Sequence, residues 1–237
     1  MSLDWIAQYS WQAALVYIVT VIFLARLSHY LAFKVPALER MRQWNIEEDQ
    51  PKRANPKYAP VVKANARVGL GITLLIVLLV APLATTLESL PVWRYVADIA
   101  VILLVYDFIY YLTHRFAFHG WPLKQVHGLH HQARDISRYD SSYVHPLETF
   151  IGLAIYVVSV IATALIMGEV HAVSAAIAYV VWSQVNTIVH TKFDLDYFPF
   201  KTINYLTSKH AVHHQNMNMG NYSSVLLLFD WMFGTLD

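Results

Sequence analysis

An all-helical bundle that crosses a lipid bilayer about five times, with a helical cap on its cytoplasmic face, is the fold class this sequence predicts. Three observations predict it. Apolar residues make up 57% of the 237 positions and charged residues only 14%, a balance foreign to ordinary soluble domains. The apolar residues gather into five runs near the 20 or so residues a helix needs to span hydrocarbon. Lys and Arg, finally, fall almost entirely between alternate runs, as the positive-inside rule requires.

The first run, residues 11–33, reads as a retained span: Asp4 stands where a leader would be positive, and no small-residue cleavage site follows. Residues 36–65, rich in Pro, Trp and charge, are expected along the membrane interface. Residues 68–90 and 92–113 form the second and third spans, joined tightly at Pro91. Residues 147–167 and 170–189 form the fourth and fifth, joined at Gly168-Glu169. Each pair must be an antiparallel hairpin, and residues 1–237 read as one domain. Eight basic residues lie between positions 34 and 67, and the remaining loop Lys and Arg follow spans three and five. Residues 1–10 and the two tight turns carry none, which places the N-terminus outside and the C-terminus in the cytoplasm.

Composition also excludes chemistries. A formal charge of +1 and the lack of a basic stripe argue against nucleic acid. Without cysteine there are no disulfides, thiolate zinc sites, iron–sulfur clusters or cysteine nucleophiles.

Ten of the twelve histidines fall on the cytoplasmic side of this topology. HGLHHQ at 127–132 and HAVHHQ at 210–215 repeat one spacing. Residues three and four apart share a helix face, so His127, His130 and His131 can converge from one helical turn, as can His210, His213 and His214. His190, four residues after Asn186, ends the fifth span. His114 ends the third, and His119, five residues on, lies too far round a regular helix to share its face. A bend near Gly120-Trp121-Pro122 is expected to turn it back. Imidazole suits iron, zinc, copper and nickel, and nine or ten of them exceed the needs of one ion, so two are implied. His29 and His171 read as interfacial hydrogen-bonding residues. Asp107 lies two turns before His114 on the same face. A carboxylate at that depth is expensive, and it reads as the acceptor orienting a ligating imidazole, with packing against Tyr110 or Tyr111 as the alternative.

The run DFIYYLTHRFAFH (107–119) with HGLHH (127–131), HPLE (145–148), NTIVH (186–190), HAVHH (210–214) and NYSSVLLLFDWMFGT (221–235) resembles the fatty acid hydroxylase/sterol desaturase superfamily. The resemblance implies a membrane-bound non-haem di-iron oxygenase, with histidine boxes in 107–131, 145–148, 186–190 and 210–214. Its metal ligands would be His114, His119, His127, His130, His131, His190, His210, His213 and His214. Asn186 stands where some members carry another histidine, and Ser223 where glycine is usual. His145 would be a ligand, an orienting residue or a substrate-entry residue; with Asp107 and Asn186 it completes the candidate catalytic set. Two iron ions are expected, zinc substituting in purified protein. The expected reaction is dioxygen-dependent hydroxylation or desaturation of a fatty acyl or sterol-like lipid. No haem extension, flavin glycine fingerprint or cysteine cluster is present, so electrons would come from a separate donor, a cytochrome or ferredoxin, docking on the basic face. The short chain favours a bacterial inner membrane over endoplasmic reticulum. Two other readings are a histidine-rich metal-binding or metal-transport protein and a zinc hydrolase on the same scaffold; transport would want ligands near the bilayer midplane.

Overall fold

The computed structural model describes residues 9–237; the expectations for the extreme N-terminus, Asp4 included, lie outside the described residues. Four helices are long and apolar enough to cross a membrane: α1 (Trp11–Lys34), α3 (Tyr58–Ala84), α4 (Val92–Phe118) and α6 (Pro146–Met167). The expected fifth span is α7 (Ala172–Ile188), apolar but only 17 residues long, about 25 Å at 1.5 Å per residue. Around one end of these helices sit α2 (Glu39–Ala54), α5 (Lys124–Gly128), α8 (Lys201–Gln215) and α9 (Leu228–Met232).

Local chemistry sets the helix ends. Ser10 caps α1 by accepting from Ala13 N at 3.2 Å. The α6–α7 turn is closed by Gly168 at φ +86°, a left-handed conformation that glycine adopts without a Cβ clash. The second span differs from expectation at both ends. Its helix begins at Tyr58 rather than 68, because residues 58–67 continue the helical pattern without a break. It stops at Ala84 because Thr85 turns extended (φ −128°, ψ 156°). Thr85–Thr86 then pairs in parallel with Val170–His171, tying the two tight turns together at one end of the bundle.

Lipid does not reward helix association hydrophobically, so the interior relies on small residues and buried hydrogen bonds. Ala172, Ala175, Ala176 and Ala178 bury one side of α7, which packs against α1 and α4. Tyr17 and Tyr156 share a hydrogen bond of 3.1 Å, and Tyr156 Oη donates to Ala175 O at 2.8 Å. Ser159 and Thr163 return their hydroxyls to carbonyls four residues back, Ile155 O and Ser159 O. Large apolar side chains such as Val92 and Leu165 face outward, more than 80% exposed, as a lipid solvent allows.

At the opposite end, residues 36–65 do not simply rest on the interface. Met41, Asn45 and Asp49, spaced four apart, form the buried stripe of α2. Asn45 donates to Lys192 O at 2.8 Å and accepts from Lys192 N at 2.9 Å. Asp49 accepts from Ser137 Oγ at 2.8 Å and Tyr139 N at 2.9 Å. The helix is a brace across the cap, and residues 58–65 already belong to α3.

Candidate metal centre

All nine histidines of the expected ligand set meet at the end of the bundle opposite the paired turns. They form two groups whose ring nitrogens lie within 4.8 Å of one another: His114, His119, His127, His131 and His213 in the first, His130, His190, His210 and His214 in the second.

A widened turn solves the problem posed by His119. Residues Thr113–Phe118 end α4 as a π-turn, in which His119 N donates to His114 O, five residues back, at 2.9 Å. The two rings come within 4.9 Å, centroid to centroid. The π-turn thus brings His119 beside His114 within the helix, and the helix then breaks where expected, with a bend at 119–120 and a turn at 121–123. Gly120 matters differently: a Cβ there would lie 2.2 Å from Phe116 O.

Each HxxHH triplet serves both groups. Adjacent helical residues point about 100° apart, so the paired histidines cannot face one ion. His127 lies in the last turn of α5, and His130 and His131 continue in a tighter turn. His127 and His131 go to the first group while His130 crosses to the second. On α8, His210 and His214 go to the second group and His213 crosses to the first. The expected convergence of each triplet is thereby corrected: residues i and i+4 stay together and residue i+3 departs.

The outer nitrogens decide what the inner ones can do. Nδ1 of His114 bonds to Tyr222 O at 2.6 Å, that of His119 to Met217 O at 2.7 Å, and that of His213 to Gly220 O at 2.6 Å. In the second group Nδ1 of His130 meets Tyr143 O at 3.2 Å, of His190 Asn186 O at 2.8 Å, and of His214 Ala133 O at 2.9 Å. His127 Nδ1 meets Glu148 Oε1 at 2.9 Å. A carbonyl oxygen only accepts, so these Nδ1 atoms carry the proton and Nε2 presents a bare lone pair. Yet the Nε2 atoms lie against each other: 2.9 Å for His114–His127, 3.2 Å for His119–His213 and 3.0 Å for His130–His190. Facing lone pairs repel, and a cation between them removes the conflict. With metal–nitrogen bonds of about 2.1 Å, ligands at right angles stand about 3.0 Å apart and tetrahedral ones about 3.4 Å. The chemistry of the donor set fits two metal ions.

Burial favours the ligating form. It lowers the pKa of His119 to about 4, helped by the neighbouring His127. It lowers His131, His190, His210, His213 and His214 as well, reinforced by surrounding imidazoles. These rings stay neutral near pH 7, the state that binds metal.

The three remaining candidates have other places. Asp107 touches no ligand; it accepts from Ser224 N and Val225 N at 2.8 Å and from Leu226 N at 3.1 Å. Asp230 does the same for Tyr222 N and Ser223 N, both at 2.8 Å. The closing segment is strung between two carboxylates, so Asp107 acts on His114 only through the Tyr222 carbonyl. His145 joins neither group; its Nδ1 caps α6 by accepting from Leu147 N at 3.1 Å. Asn186 gives its carbonyl to His190, and it also lines a cavity of about 90 Å³ beneath the histidines with Tyr106, Tyr110, Glu148, Gly152 and Trp182. Sequence reasoning missed Glu148 as the partner of His127. A carboxylate in the first turn of an apolar helix was the available signal.

The sequence model of the fatty acid hydroxylase family matches residues 99–235. Methylsterol monooxygenase 2-2 of Arabidopsis thaliana is 30% identical over 156 residues, 62% of this chain and 55% of its own. Methylsterol monooxygenase 1 of Rattus norvegicus is 30% identical over 155 residues, 62% and 50% of the two chains. Very-long-chain aldehyde decarbonylase GL1-6 of Oryza sativa subsp. indica is 31% identical over 142 residues, 55% of this chain and 21% of its own. The chain thus spans about half the length of the methylsterol monooxygenases it matches. No solved structure matches it.

Proposed function

Because the chain belongs to the fatty acid hydroxylase family, we propose that it is an integral-membrane non-haem di-iron oxidoreductase that hydroxylates or desaturates a lipid with dioxygen. The observation that carries this reading is the double set of inward Nε2 lone pairs about 3 Å apart, with seven of the nine rings held by their outer nitrogen. His114, His119, His127, His131 and His213 would hold one ion, and His130, His190, His210 and His214 the other. The ion pair supplies, when bound, the redox change that oxidation of an unactivated C–H bond requires and that zinc lacks.

The chain's own work is positional. The carbonyls of residues 133, 143, 186, 217, 220 and 222, with Glu148, fix ring orientation and tautomer. Burial excludes water and keeps the rings unprotonated. The cavity beside both groups would receive the part of the lipid to be oxidised. A zinc hydrolase fits less well, since five nitrogens in the first group exceed the four ligands of a closed zinc site. Transport fits less well too, because the ligands sit at one end of the bundle rather than along its middle.

On the positive-inside reading of the basic loops the histidine end would face the cytoplasm, where a separate cytochrome or ferredoxin would deliver electrons, in a bacterial inner membrane rather than endoplasmic reticulum. Metal analysis of protein from its native membrane, with dioxygen consumption, tests the proposal. Two irons per chain are expected. His213→Ala should lose the ion of the first group and His130→Ala that of the second, each abolishing turnover without abolishing membrane insertion. Full iron and activity in both variants would overturn the assignment.

A further inference from the structure

The closing segment runs deeper than a cap requires. Arg94 and Arg115 are the Lys or Arg residues of α4. They stand about 31 Å apart along its axis at 1.5 Å per residue, close to the roughly 30 Å of a hydrocarbon core. Asp107 lies about 12 Å inside the Arg115 end, and there it accepts from Ser224 N, Val225 N and Leu226 N. Phe229 meets α4 at the same level, its ring 5.2 Å from that of Phe108 and 6.4 Å from that of Tyr111. The segment also leaves where it enters, since Asn221 N donates to Thr235 O at 2.9 Å. Lipid offers backbone amides no partner at such depth. Two carboxylates, Asp107 and Asp230, both 0% exposed, bind the amides of residues 222–226 instead. Outward, the segment shows Leu226, Leu228, Trp231, Met232 and Phe233, with Trp231 70% exposed. Apart from histidine, the one ionisable acid or base between Lys209 and Asp237 is the buried Asp230. This face continues the outward stripe of α4 at Phe108, Leu112 and Phe116.

We propose that residues 222–233 form a re-entrant segment, dipping beside α4 into the leaflet at the histidine end, with acyl chains covering its apolar face. Lipid is the partner because the face is continuous with that of a spanning helix and presents no charge. Asp107 then has a purpose that a soluble cap would not need: it lets non-helical backbone run at hydrocarbon depth by taking up amides that lipid would leave unpaired. The Tyr222 carbonyl that holds His114 belongs to the same segment, so the first histidine group sits at the membrane boundary rather than above it. Nothing in this inference depends on which metal binds or on what reaction follows.

The chain has no cysteine, so Leu228→Cys and Trp231→Cys each provide a single site for a nitroxide spin label on the full chain in phosphatidylcholine nanodiscs. Leu104→Cys, outward on α4, and Lys57→Cys, exposed at the cap end, serve as references. Electron spin relaxation reports collisions with dioxygen, which dissolves in hydrocarbon, and with a water-soluble nickel chelate, which does not. Labels at positions 228 and 231 should match the Leu104 reference in dioxygen collisions. They should meet the chelate at least about tenfold less often than the Lys57 reference, given the cost of moving a polar solute into hydrocarbon. Chelate collisions equal to those at Lys57 would put the face in water and overturn the proposal. Shielding from both reagents would put it against protein, a second copy included, and would overturn it too. An unlabelled arm guards against a label that disturbs the fold. The fluorescence of Trp231, taken as wild type minus Trp231→Phe, should lose most of its intensity when the nanodisc lipid carries bromine on its acyl chains. An undiminished Trp231 signal would contradict the proposal independently.

Discussion

An imidazole offers an ion one nitrogen, and whatever holds the other nitrogen decides how well. Glu148 is the clearest case, the one carboxyl set against a histidine ring among the described residues. Glu148→Ala should leave the His127 Nδ1–H buried and unpaired, weakening metal binding at the first group by about 10–100-fold. Competition against a chelator measures this, and unchanged affinity would show the contact to be idle. His145, three positions away, should tolerate Asn at little cost, since its side chain only caps α6. The gathering of the nine histidines was readable from the sequence because histidine at three- and four-residue spacing is rare and directional. Their outer partners were not. Six of the seven are backbone carbonyls, which any residue supplies, and they come from positions up to 108 residues away in the case of His114 and Tyr222. Asp107 stood out as an expensive carboxylate, but nothing local could say that its partners are the amides of residues 224–226.

At the scale of elements, the π-turn of residues 113–118 contributes most to the site. Inserting an alanine after Ala117 should set His119 six positions from His114 and swing it off that face. One of two ions should be lost while the bundle still inserts; metal analysis of the variant checks it, and two retained ions would contradict it. A five-residue histidine spacing reads as a mismatch on a helical projection, which is why the sequence suggested a bend further along instead. Span composition predicted the apolar helices well, whereas their ends depended on contacts invisible in a hydropathy trace. The β-pair at Thr85 shortened one helix. The long-range bonds of Asn45 and Asp49 made a brace out of a segment that looked interfacial.

For the molecule as a whole, the buried neutral imidazoles link folding to pH. In the unfolded chain a histidine takes up a proton near pH 6.5, whereas folded His119 does so only near 4. Between those values the unfolded state binds more protons, so stability falls as pH drops from about 6.5 toward 4. The other six depressed rings add in the same direction. Thermal melts of metal-free protein should show a midpoint that declines steadily across this range. A flat profile would mean that the rings already carry protons in the fold.

The crossing of the two triplets has a last consequence, for how the centre fills. On the proposed assignment His130 and His131, bonded neighbours in different groups, would grip different ions, and so would His213 and His214. Extracting one ion would slacken a stretch of backbone that the other still needs taut. Occupancy should therefore rise and fall as a unit. Partial chelation followed by native mass spectrometry should find chains with both ions or none, and few with a single one.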